Sequence, residues 1–121
     1  TTRFFIVLSI GLLILAWESS IEPANYYLNK GNAALFVEQD YIEAIHFYEM
    51  VLKLYPDHPT AWFNIGQVRE EQDILLFAAL AYDRALNAGF EPKRRVLNRL
   101  INIFTILDNP DQVRVYQDQL P

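Results

Sequence analysis

Residues 41–56, YIEAIHFYEMVLKLYP, lie over residues 75–90, LLFAALAYDRALNAGF, at an offset of 34. In that register Ala44 meets Ala78, Tyr48 meets Tyr82, Val51 meets Ala85 and Leu52 meets Leu86. Upstream, Gly31 meets Gly66 at an offset of 35, so the first unit carries one extra residue in its turn. A period of this size marks a repeat architecture in which each unit is one supersecondary element. Both halves of the unit read as helices. Tyr41, Ala44, Ile45, Tyr48, Val51 and Leu52 recur at three- and four-residue steps, the stripe of an amphipathic helix. Trp62, Ile65, Gly66 and Val68 do the same in the preceding half of the second unit. Short polar joints separate the halves, and the proline-bearing stretches PDHP and GFEP separate the units, where proline ends one helix and opens the next.

The pattern resembles the tetratricopeptide repeat, whose signature of about 34 residues is W-x2-L-G-x2-Y, then A-x3-F, then P. The second unit supplies Trp62, Ile65, Gly66, Ala78, Tyr82 and Ala85, with Arg69 in place of an aromatic and the proline shifted to Pro92. The first supplies Tyr27, Gly31, Ala44, Tyr48 and Pro56, with Lys30 in place of leucine. Small residues at 31, 44, 66 and 78 let two antiparallel helices approach, while Tyr48, Trp62 and Tyr82 fill the space beside them. One unit cannot bury its own stripe, so neighbours must stack. Residues 93–121 offer a divergent third unit that caps the array: an apolar-faced helix, a turn at DNPD, and Val113, Tyr116 and Leu120 at helical spacing. The expected fold is all-α, a tetratricopeptide-type stack over residues 21–121, with repeats at 24–57, 59–91 and 92–121.

Before the repeats stands RFFIVLSIGLLILAWE, residues 3–18, apolar on every side apart from Ser9 and Gly11. Its 14 uncharged residues would span about 21 Å as a helix, short of a hydrocarbon core of roughly 30 Å. A membrane anchor, an export signal and a core helix are the three candidate readings. A stack of thin helical hairpins has no interior to surround such a rod, and LAWESS is a poor signal-cleavage site. A start at Thr1 and Thr2 fits loss of an initiator methionine. The expectation is therefore a single-pass anchor at residues 1–20, with Phe4, Phe5, Ile6, Val7, Leu8, Ile10, Leu12, Leu13, Ile14 and Leu15 in lipid and Trp17 at the interface. Arg3 precedes the rod, and Glu18 and Glu22 follow it. The positive-inside rule then keeps the N-terminus cytoplasmic and puts the repeats on the periplasmic, lumenal or extracellular side.

With Arg3 set aside, nine basic residues stand against fifteen acidic ones, a balance that opposes nucleic-acid binding. The chain has no cysteine, and His46 and His58 lack a second ligand at metal spacing. No phosphate loop, nucleophile elbow or zinc-protease motif occurs, so neither a metal, a cofactor nor catalysis is expected.

In tetratricopeptide proteins the first helix of each unit lines a concave groove. The resemblance implies that Leu28, Phe63 and Leu97 form an apolar ridge there, with Asn32, Gln67 and Ile101 one turn further on. Family members that hold acidic C-terminal tails use lysines, arginines and asparagines. Asn32, Asn64 and Arg94 match that set, while Leu28 and Asn98 depart from it. Lys93, Arg94, Arg95 and Arg99 form one basic cluster, in and just beyond the first turn of a helix, where cations oppose the dipole. The cluster points to an acidic partner or a lipid headgroup. The chain reads as a membrane-tethered interaction scaffold, an accessory subunit or assembly factor. An exported soluble adaptor or chaperone that grips a peptide segment, and a regulatory module for a partner enzyme, are the other readings.

Overall fold

A computed structural model describes residues 22–121, and the expected anchor at residues 1–20 lies outside them. Six α-helices follow in order: α1 (Pro23–Ala33), α2 (Tyr41–Leu54), α3 (Pro59–Glu71), α4 (Leu75–Asn87), α5 (Lys93–Ile106) and α6 (Pro110–Gln117). No strand occurs among the described residues. Each helix packs on its neighbours in sequence, so α1–α2, α3–α4 and α5–α6 form three antiparallel hairpins stacked side by side. The same residues include no helix long and apolar enough to cross a membrane.

Helix starts are set by local chemistry. Proline occupies the first turn of α1, α3 and α6, where its missing N–H removes nothing from the helical ladder. The Asp40 carboxylate accepts from the Glu43 N–H at 3.0 Å, and Asn109 accepts from the Gln112 N–H at 3.2 Å. His58 does the same for α3, its Nδ1 accepting from the Ala61 N–H at 3.2 Å. That capping role accounts for one of the two histidines.

The joint inside each hairpin turns on a residue at positive φ: Gln39, Asp73 and Asp108. In the second hairpin the Asp73 N–H reaches the Glu70 carbonyl and the Ile74 N–H reaches the Arg69 carbonyl, a closing pattern that satisfies the last free carbonyls of α3. Asp108 and Asn109 repeat it on Thr105 and Phe104 at the end of α5. The first hairpin differs. Residues Ala34–Glu38 form a π-helical turn after α1, and both Gln39 and Asp40 donate to the Ala34 carbonyl. The extra residue counted in the first unit is taken up there.

Two glycines set the closeness of the first two hairpins. A Cβ added to Gly31 would stand 2.5 Å from the Tyr48 ring, and one added to Gly66 would stand 2.6 Å from the Tyr82 ring. Both tyrosines are fully buried, as are Ala44 and Ala78. Leu100, eight residues past its helix's N-cap as Gly66 is past His58, fills the corresponding site of the third hairpin and is buried too. There Tyr116 stacks on Phe104 with centroids 5.8 Å apart, and its hydroxyl donates to Asp83 of α4 at 3.1 Å. The third hairpin is thereby tied to the second.

Candidate interaction surface

The first helices of the three hairpins, α1, α3 and α5, carry the residues expected to line a groove. The structure divides them. Phe63 is 2% exposed and Leu97 0%, so neither forms part of an apolar ridge open to a partner. Phe63 lies parallel to Phe90 with centroids 4.3 Å apart, and the Arg95 guanidinium covers its ring at 4.8 Å. Leu97 belongs to the same core. The reason is closure. The turn at residues 88–92 brings Phe90 back beneath α3, and a side chain that would otherwise face the groove becomes its floor support.

Leu28, Asn32, Gln67 and Ile101 remain partly open. Asn32 and Asn64 are brought together: the Asn32 Oδ1 accepts from the Asn64 Nδ2 at 2.8 Å and from the Tyr48 hydroxyl at 2.8 Å. One carbonyl oxygen thus joins α1, α2 and α3. Burial pushes the Tyr48 pKa well above its ordinary value. Among the described residues the Asn32 NH2 group and the Asn64 carbonyl oxygen are left unpaired, and both can hydrogen-bond a main chain laid across them. Asn64 is nonetheless mostly buried, so its first role is to fix the spacing of α1 and α3. This network was missed in the sequence because Asn32 and Asn64 do not share a repeat position. They sit one turn apart on neighbouring helices, and only the stacking offset aligns them.

Next to this floor lies a cleft of about 170 Å³, lined by Leu35, Phe36, Gln39, Tyr41, Gln67 and Glu71. Gln67 belongs to both, so the amide-bearing face continues into a recess of mixed character beside the π-helical turn, with Leu35, Phe36 and Tyr41 set against Gln39 and Glu71.

The basic cluster is mostly engaged. Arg99 pairs with Glu70 at 3.4 Å, Arg95 covers Phe63, and Arg94 donates to the Pro121 carbonyl at 3.0 Å. Lys93 has no side-chain partner among the described residues, while its backbone N–H is capped by Glu91 at 3.1 Å. Arg94 is the expected groove residue at the far end of the face. The second Glu70 oxygen and the Tyr82 hydroxyl are both shut off from solvent without a hydrogen-bond partner. Burial first, and the Glu70 carboxylate second, raise the Tyr82 pKa far above the usual tyrosine range. Among the described residues no three histidine, aspartate or glutamate side chains converge as metal ligands would.

A stack of helical hairpins with glycine-seated tyrosines and a polar face on its first helices is the tetratricopeptide fold, an architecture for holding other proteins. Among solved structures, the crystal structure of YrrB, described as a TPR protein with an unusual peptide-binding site, superimposes with a TM-score of 0.74 at 25% sequence identity. The match covers 88% of this chain and 54% of that one, so the chain spans about half of YrrB's length. No family model matches the sequence, and the comparison with curated proteins returns no match.

Proposed function

We propose that this chain is a non-catalytic scaffold that holds a peptide segment of a partner protein against the face of α1, α3 and α5. The observation that carries the reading is the continuous run from the unpaired amide groups of Asn32 and Asn64, past Gln67, into the cleft beside Phe36. Side-chain amides bond the main chain of an extended segment whatever its sequence, and the recess takes a side chain with an apolar body against Phe36 and a polar end towards Gln39 and Glu71. YrrB, described by its peptide-binding site, supports the class of ligand. Gln67→Ala should weaken capture of such a segment by about tenfold, the value of one or two hydrogen bonds. Cross-linking from position 67, followed by mass spectrometry, should recover a peptide of the partner. Cross-links confined to other faces would end the proposal.

The scaffold is further proposed to be tethered by residues 1–20, with its repeats on the periplasmic, lumenal or extracellular side, as an accessory subunit or assembly factor of a membrane complex. An all-round apolar segment that the repeat stack does not need supports this reading. Alkaline extraction of membranes tests it: the full chain should stay in the pellet. Its release would leave the alternative, an exported soluble adaptor using the same face.

A further inference from the structure

The three joints inside the hairpins lie on one edge of the array, because successive helices alternate in direction. That edge collects exposed apolar side chains. The first joint bears Phe36, Val37 and Ile42, with Val37 80% and Ile42 82% exposed. The second bears Leu76 and Phe77, and the third Ile106 and Leu107. Neighbouring helices pack at about 8–10 Å, so three joints make a strip of some tens of ångströms. None of these side chains is needed to close a hairpin. The tyrosines, alanines and valines of the core do that.

Charge on the same edge is predominantly negative. Glu38, Asp40 and Glu43 flank the first joint, Glu71 and Asp73 the second, and Asp108 and Asp111 the third, all exposed. The single ion pair among the described residues is Arg99–Glu70, so no described cation neutralises these seven carboxylates. Arg69, the one cation at a joint, is bonded to Gln72 at 3.0 Å. The opposite edge differs in kind, since it carries Lys93, Arg94 and Arg95 where α5 begins.

We infer that this edge is a second docking surface, which adjoins the amide-bearing face at Phe36 and Glu71 and extends away from it through Val37, Ile42, Leu76 and Phe77, and that its occupant is a basic amphipathic helix of a partner protein. Apolar side chains on one stripe of such a helix cover Val37, Ile42, Leu76 and Phe77, while flanking lysines or arginines meet the carboxylate rim. A bilayer rich in anionic lipid is opposed by the same rim, because like charges repel at its surface. A second copy of this chain would bring an identical acidic edge against the first.

The test uses the full chain in a mild non-ionic detergent and a labelled Leu/Lys amphipathic helix of about 14–18 residues, long enough for the strip at 1.5 Å per residue. Two variants alter the edge: Val37→Ser with Phe77→Ser, and Glu38→Lys with Glu43→Lys. A charge-matched control, Asp57→Lys with Asp118→Lys, changes exposed acids elsewhere. Every site is exposed, so folding should survive, and a retained thermal transition checks it. Binding should fall by about tenfold or more in both edge variants, weaken with salt, and stay unchanged in the control. The inference is overturned if control and edge variants lose binding equally, or if a Leu/Glu helix binds as well. It is overturned too if the edge variants instead abolish flotation with phosphatidylserine vesicles or abolish self-association in sedimentation. Gln67→Ala should leave this probe unaffected, so failure here and failure of the amide-face proposal are separately visible.

Discussion

In the first two hairpins a tyrosine of the second helix lies directly on a glycine of the first, whereas in the third Leu100 fills that ground and Tyr116 rests on Phe104 instead. The first arrangement brings helix backbones together and leaves no room for even one methyl group. The second fills that place with a buried leucine and stacks the tyrosine on an aromatic ring beside it. Among the described residues the third hairpin packs on the second and is held to it by the bond from Tyr116 to Asp83. The difference shows that the tyrosine position is the constant of this array, while the glycine is one of two ways to seat it.

Importing the third solution into the second hairpin gives the largest expected effect. Gly66→Leu would drive a branched side chain into the fully buried Tyr82 ring and should cost about 3 kcal/mol in urea unfolding. Unchanged stability would mean that the two seats are interchangeable and would dissolve the comparison.

A smaller effect separates the first hairpin from the second. Tyr48→Phe removes a donor from Asn32 and should cost about 1 kcal/mol, whereas Tyr82→Phe removes a buried hydroxyl that has no partner and should be neutral or slightly stabilising. Equal losses at both positions would show that Tyr82 bonds Glu70 in solution.

The smallest effect at neutral pH concerns ionisation. Tyr48, Tyr82 and Tyr116 all have raised pKa values, with Tyr116 pushed up to about 12 by burial and by the Asp83 carboxylate. The folded state therefore holds these protons more tightly than the unfolded chain, where tyrosine titrates near 10. Their contribution is complete below pH 10 and is lost as pH rises through the folded values. Urea midpoints measured from pH 8 upward should be flat as far as these groups are concerned and fall above 10. Replacing Tyr116 with phenylalanine should reduce that fall.

The repeats were legible because their marks are local and periodic: Gly31, Gly66, Ala44 and Ala78 each stand for one close approach, and spacing alone places them. The accessible face was only partly legible. Position within the unit correctly put Asn32 and Gln67 on the first helices, but it could not tell that Phe90 would fold back under Phe63. That contact depends on the path of the connecting turn, to which no repeat position corresponds. The apolar edge was hidden for the opposite reason. Val37, Ile42, Leu76 and Phe77 look like ordinary members of helical stripes, and only their exposure sets them apart.

The π-helical turn at Ala34–Glu38 bears on how this surface can change over time. It absorbs an added residue without moving Gly31 off Tyr48, so the joint tolerates length variation that the helix interiors would not. The edge that carries the apolar strip is then also where insertions are cheapest. Partner choice can drift there while the stack behind it stays in register, a separation that lets one scaffold be refitted to new companions without being refolded.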